Sequence, residues 1–171
     1  RQTSVICMSA YLYLLLLAFD THAVPIEDLS RLAVELDAAG RKTGLDPVML
    51  AAVALEEGRF VEAPPRHGTG CGVMQVLPDR WGRPSCAALE NYSVGVAQGA
   101  RILSRTLARC QARAKAPKTG SGASTGQPDG STWRCALTAY NGAASAGYAR
   151  RVMGTYRAML RGEKAAREVR T

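Results

Sequence analysis

Residues 46–75 read DPVMLAAVALEEGRF, then VEAPPRHGT, then GCGVMQ. The first segment begins as a helix should. Asp46 suits the N-cap, whose side chain accepts free backbone N–H groups, and Pro47 suits the first helical position, where no N–H is needed. Positions 48–55 are all apolar, which leaves no polar stripe at helical spacing. A helix of that kind is predicted to lie in the middle of a domain. Gly58 is placed to supply the left-handed residue that closes it. The apolar run ends on Glu56 and Glu57, so a carboxylate is expected at the C-terminal end of a central helix, at the rim of the core. Desolvation and the negative end of the helix dipole both raise a carboxyl pKa there. That is the environment of a general acid working at neutral pH.

Around this stretch the chain reads as helix throughout. At 171 residues and 47% hydrophobic it can bury one good core, so one domain is expected. Phe19 and Phe60 are the only phenylalanines, and abundant alanine, leucine and arginine favour helix over sheet. Ile26, Leu29, Leu32, Ala33, Leu36 and Ala39 form one buried stripe of a helix over 26–42 that closes near 40–44. Residues 61–69 and 81–86 read as loops, and 70–75 as a short turn or helix stopped by Pro78. Ser93 is predicted to cap a long helix to about Ala114, with Val94, Ala97, Ala100, Ile102, Leu103 and Leu107 inward. Residues 115–131 lack any large apolar group and read as a flexible insert. Two last helices are expected over 133–141 and 146–161, joined at 142–145, with a charged tail over 163–171.

The opening segment has a different character. Residues 5–19 carry no charge and are leucine-rich at their centre, and Thr21-His22-Ala23 follows. The run is shorter than the roughly 20 residues that span a bilayer. It reads as a secretory signal cleaved after Ala23 or as a short anchor, with a buried N-terminal helix as the alternative, and the signal reading leaves 24–162 as the working domain. Without 1–23 the formal charge stays at +8, since one Arg and one Asp are lost together. Such a surface is drawn to polyanions in general. The basic residues look scattered and no aromatic pattern interleaves them, so nucleic acid is not expected as a partner. Cys7 leaves with the signal, and Cys71, Cys86, Cys110 and Cys135 remain. An even count in an exported chain points to two disulfides. Of three connectivities, Cys71–Cys86 with Cys110–Cys135 is favoured because each pair closes its own loop. Each bridge is worth on the order of 3 kcal/mol. Zinc is not expected, for there is no C-x-x-C and no H-x-x-x-H.

Four blocks then fall in order: Glu57-Gly58-Arg59-Phe60, Gly72-Val73-Met74-Gln75, GVAQGARIL over 95–103, and Ala139-Tyr140-Asn141-Gly142. Together they resemble the soluble-type lytic transglycosylases, relatives of goose-type lysozyme that cut peptidoglycan. The family pattern is E-S-x-F, G-L-M-Q, a glycine-alanine-rich helix, and A-Y-N. The likeness covers roughly 45–156. The cysteines, the leader and the run Gly-Tyr-Ala-Arg-Arg-Val over 147–152 look most like small periplasmic members that accompany secretion or conjugation machinery.

The resemblance implies an all-α lysozyme-like domain, monomeric, periplasmic or secreted, acting on peptidoglycan glycan strands without metal or cofactor. It assigns the acid/base role to Glu57 through the E-x-x-F spacing to Phe60; periodicity does not choose between Glu57 and Glu56. It puts Met74 and Gln75 along the sugar cleft, Tyr140 with its hydroxyl near Glu57 or the substrate acetamide, and Asn141 on the loop or a sugar. Gly72 would let the backbone approach a sugar ring. Glycosidic cleavage ordinarily takes two carboxylates. No second one sits in a matching block, and Glu62 and Asp79 are the nearest in sequence. In the family one Glu suffices, because the substrate's own acetamido group and 6-hydroxyl complete the reaction. His67 is given no role. Two residues depart from the pattern: Gly58 stands where the family has serine, which removes a hydroxyl near the acid, and Val73 stands for leucine. The rival readings are a hydrolytic muramidase and a catalytically weak wall-binding protein of a secretion apparatus, the second kept open by Gly58.

Overall fold

A computed structural model describes residues 8–20, 23–60, 70–78, 84–115, 129–142 and 146–168. Every regular element among them is a helix: α1 (Met8–Phe19), α2 (Ile26–Thr43), α3 (Pro47–Gly58), α4 (Cys86–Leu89), α5 (Tyr92–Lys115), α6 (Gly130–Tyr140) and α7 (Ala146–Glu168). The all-α expectation therefore holds. The central helix starts as its sequence dictates, with Asp46 Oδ1 accepting the Val48 N–H at 2.9 Å and Pro47 in the first turn. Residues 48–54 are all buried, as an unstriped apolar run requires. Neighbouring helices close a circuit around the core: α2 packs on α3, α3 on α7, α7 on α6, α6 on α5, and α5 back on α2. Helix α7 packs across α3 and touches both of its ends. Tyr156 donates to Asp46 Oδ2 at 2.7 Å at one end, while Thr155 and Arg151 reach Glu56 near the other.

Several boundaries differ from the sequence reading, each for a physical reason. Gly58 does not close α3; it is the last helical residue, and Arg59 (φ 52°) and Phe60 (φ 65°) take the left-handed turn. Such backbone costs a non-glycine residue about 1–2 kcal/mol. The turn places Phe60 fully inside, where its carbonyl accepts the buried Tyr92 hydroxyl at 2.8 Å. Ile26, the first residue of α2, is 60% exposed and drops out of that helix's buried stripe. Asn91, not Ser93, caps α5: its Oδ1 accepts the Ser93 N–H at 2.9 Å. The inward face of α5 is Tyr92, Gly95, Val96, Gly99, Ala100, Leu103 and Leu107, with Ala97 exposed and Val94 and Ile102 half-buried. Cys86, read as the end of a loop, opens the short helix α4 behind the Ser85 cap. Asp129 caps α6 through Thr132 N–H at 2.8 Å, so that helix takes in residues assigned to the insert. Helix α7 continues to Glu168 through residues expected as tail, where alanine, lysine, arginine and glutamate favour helix.

Both expected disulfides are formed, Cys71–Cys86 and Cys110–Cys135, with Cα atoms 5.4 and 6.0 Å apart. Helix α1 lies within the segment read as a leader, and its Leu12, Leu15 and Leu16 are buried where it packs on α2, α3 and α7. Among the described residues, no helix is long and apolar enough to cross a membrane. The loop 61–69, most of the insert (116–128), and Cys7, Glu62, His67, Asp79 and Trp81 lie outside the described residues.

Candidate functional site

The end of α3 separates two adjacent glutamates. Glu56 faces α7, where Arg151 Nε lies 3.2 Å from Oε2 and the Thr155 hydroxyl donates to Oε1 at 2.7 Å. Glu57 is half-buried beside the Tyr148 hydroxyl of α7, close enough for each group to act on the other's ionisation. Burial pushes the Glu57 carboxyl above its usual 4.5. The nearby Tyr148 hydroxyl works against that, the negative charge of Glu56 adds to it, and Arg151 again opposes it. Tyr148 is 2% exposed, and burial, then the Glu57 carboxylate beside it, raise its phenol far beyond the ordinary range. It therefore stays protonated and can only donate to the carboxylate. One glutamate is thus spent on an ion pair, while the other is poised to carry a proton.

The turn over 71–76 is brought against this end of α3. Cys71 and Val76 pair as an isolated antiparallel bridge, with N–H···O distances of 2.9 and 3.0 Å. Inside it the Gln75 backbone N–H and its side-chain Nε2 both reach the Gly72 carbonyl, at 3.0 and 2.9 Å, and Gln75 itself is left-handed (φ 46°). A Cβ on Gly58 would lie 2.9 Å from the Val73 carbonyl oxygen, so the acid's neighbour touches the turn backbone directly. From the other side the Tyr140 hydroxyl donates to the Met74 carbonyl at 2.8 Å. Tyr140 and Tyr148 are close enough to influence one another electrostatically. The four blocks quoted from the sequence therefore converge.

Not every predicted residue meets what was expected of it. Gly72 (φ 70°) does allow a close approach, but by protein: a Cβ there would sit 2.0 Å from the Leu89 carbonyl oxygen of α4. The Met74 side chain is fully buried against Gly99 of α5 instead of lining an open cleft. Tyr140 is a strut for the turn, and the phenol on the acid belongs to Tyr148 instead. Gln75 is half-buried with its amide folded back onto Gly72. Asn141 is half-buried and ends α6, its backbone N–H on the Leu137 carbonyl at 3.1 Å. Tyr148 was missed as a site residue, although its run, 147–152, was noticed for another reason. The available signal was a tyrosine three residues before Arg151 on a helix that must cover the end of α3.

No protein-family model matches the chain, and no curated protein matches it. The site accordingly stands on its own chemistry. A concavity of about 360 Å³ between α2 and the start of α5, lined by Arg31, Val34, Asn91 and Tyr92 among others, does not include Glu57. The candidate site is better located by the half-buried Glu57 carboxyl than by that hollow.

Proposed function

We propose that the chain is a peptidoglycan lytic transglycosylase with a lysozyme-like fold, exported to an oxidising compartment. The observation that carries this reading is the division of labour at the end of α3. Glu56 is paired with Arg151 and the Thr155 hydroxyl, and Glu57 is half-buried beside the Tyr148 phenol with its pKa raised by burial. Glu57 protonates the oxygen linking N-acetylmuramic acid to N-acetylglucosamine, and the C–O bond to the anomeric carbon breaks. The substrate's acetamido oxygen stabilises the positive carbon. Glu57, now ionised, takes the proton of the 6-hydroxyl as that oxygen attacks, which closes a 1,6-anhydro ring and restores the acid. No water is consumed, and the protein ends as it began. One group serving as acid and then base needs a pKa near the working pH, and burial moves the Glu57 carboxyl upward in that direction.

The Tyr148 phenol, beside Glu57, is placed to steady the ionised form present between the two proton transfers. The turn 71–76, braced by Tyr140 and by the Cys71–Cys86 bridge, offers Gln75 at the edge of the site. Gly58, the residue that favoured a catalytically weak protein, has a packing explanation: the Val73 backbone occupies the space a serine side chain would need. The two disulfides suit export. Purified sacculi incubated with the chain should release muropeptides ending in 1,6-anhydro-N-acetylmuramic acid, and none with Glu57→Gln. Mass spectrometry decides, because products heavier by one water would identify a hydrolase instead.

A further inference from the structure

Helix α5 carries no acidic residue, and four of its basic ones, Arg101, Arg105, Arg109 and Arg113, recur at every fourth position. All four are exposed. That spacing sets them in a file along the helix, about 18 Å from first to last, drifting slowly round its axis. Like charges four residues apart repel and weaken a helix. Among the described residues no carboxylate relieves them, since the ion pairs are Arg31–Asp28, Arg41–Asp37 and Arg151–Glu56. One end of the file opens on a concavity of about 490 Å³ between α5 and α6, lined by Arg113, Ser131, Arg134, Cys135, Thr138 and Ala139. Its lining presents two guanidinium groups and two hydroxyls, one of which, Ser131, donates to the Asp129 carboxylate at the rim at 2.9 Å. The other end, Arg101, lies two residues past Gly99, on which Met74 packs, and the α6 wall ends beside Tyr140, which holds the Met74 carbonyl. The α6 wall of the groove therefore ends at the turn of the candidate site, whereas Arg101, two positions from Gly99, faces the other side of α5 from Met74. A merely solvated helix face would be expected to mix signs, and α5 itself does not.

We propose that the α5 arginine file, with Arg134 across the groove, is a second docking surface that holds the free carboxylates of the peptides borne by the wall polymer. This rests on the reading of peptidoglycan as substrate. Guanidinium groups pair bidentately with carboxylates, which lysine cannot match. Two other polyanions fit less well. No aromatic side chain interleaves the file to stack bases. The exposed positions between the arginines are Ala108 and Ala112, not the large apolar groups a helix inserts into a lipid surface.

The test measures binding without turnover, by sedimenting the Glu57→Gln chain with purified sacculi at low salt. Adding Arg105→Gln, Arg109→Gln and Arg113→Gln together should weaken retention roughly tenfold, as expected for the loss of three exposed charge pairs. Lysine at the same three positions should restore part of it. Converting the sacculus carboxylates to methylamides should abolish the difference between the arginine and glutamine chains. Unchanged melting temperatures would show that the variants are folded. Equal retention of both chains, or an arginine dependence that survives methylamide capping, overturns the proposal. So does competition by soluble polyphosphate where polyglutamate fails, which would reassign the surface to a phosphate polymer. Because cleavage is never read here, absence of lytic activity in the parent chain would sink the catalytic reading and leave this result standing.

Discussion

Glu56 and Glu57 are the same residue one position apart, and what surrounds them makes them chemically different. The distinction has a thermodynamic consequence that can be measured without any substrate. Below pH 4.5 Glu57 is protonated both folded and unfolded, and contributes nothing to the pH dependence. Between 4.5 and its higher native value the unfolded chain ionises first and so binds fewer protons than the folded one. Stability then falls as pH rises, and above the native value the full penalty of burying a charge is present. Glutamine cannot ionise. Glu57→Gln should therefore melt at a higher temperature than the parent at about pH 7, with the gap closing as the pH falls to 4.5, although turnover is lost. Melts across that range would check it, and a variant no more stable than its parent at neutrality would contradict the burial. Such a gain on removing a functional group is the usual mark of a site that costs stability. Little of this was legible locally, because apolar neighbours flank both glutamates. The choice of Glu57 came from its spacing to Phe60, and the reason for it lies on α7, some ninety positions away in sequence, as the Arg151–Glu56 separation of 95 makes plain.

At the scale of the element, α3 shows why a glycine can sit where a hydroxyl is expected. Gly58 is helical, so replacing it with serine should gain up to about 1 kcal/mol of helix propensity. Against that, the new Cβ would fall 2.9 Å from the Val73 carbonyl oxygen and 3.1 Å from its Cα. These are backbone atoms of a bridged turn, not the end of a flexible side chain, and forcing them apart costs about 1–3 kcal/mol. Overpacking wins. Gly58→Ser should lower stability by about 1–2 kcal/mol in denaturant titration and should not raise activity, despite bringing the chain closer to the family pattern. A stable and more active variant would mean that the turn can yield. Elements were legible in proportion to how local their causes are. The Asp46-Pro47 start of α3 and the Gly44 end of α2 follow from cap chemistry within a few residues. The end of α3 does not, since only the packing of Val73 explains why Gly58 must be helical and Arg59 left-handed. The same holds for α5: Gly95 and Gly99 are buried because the Leu89 carbonyl and Met74 press on them, which no periodicity reveals. Its arginine file, by contrast, was plain in the sequence at a spacing of four and was passed over as scattered charge.

Across the whole molecule, the site depends on contacts that join distant parts of the circuit, and the two disulfides fasten different parts of it. Cys110–Cys135 joins α5 to α6 near the groove, away from the acid. Cys71–Cys86 ties the turn carrying Gln75 to α4, whose Leu89 carbonyl is wedged between Gly72 and Gly95. Their pairing was legible because each closes its own loop, but the unequal consequences were not, for they depend on what each loop carries. By loop-closure entropy the two bridges should be worth similar amounts, on the order of 3 kcal/mol each. Their effects on cleavage should differ sharply. Replacing Cys110 and Cys135 with serine should lower the melting temperature while leaving the rate on sacculi near that of the parent well below the melt. Replacing Cys71 and Cys86 should cost a comparable amount of stability and, at temperatures where the chain is still folded, reduce the rate about tenfold or more, because a site loosened by even 1 Å loses geometry that catalysis needs. Parallel melts and anhydro-muropeptide yields for the two double variants separate these outcomes. Equal losses of rate at matched folded fractions would mean that the turn is held in place by Tyr140 and Gly58 alone, and that the covalent tie beside it is only a staple.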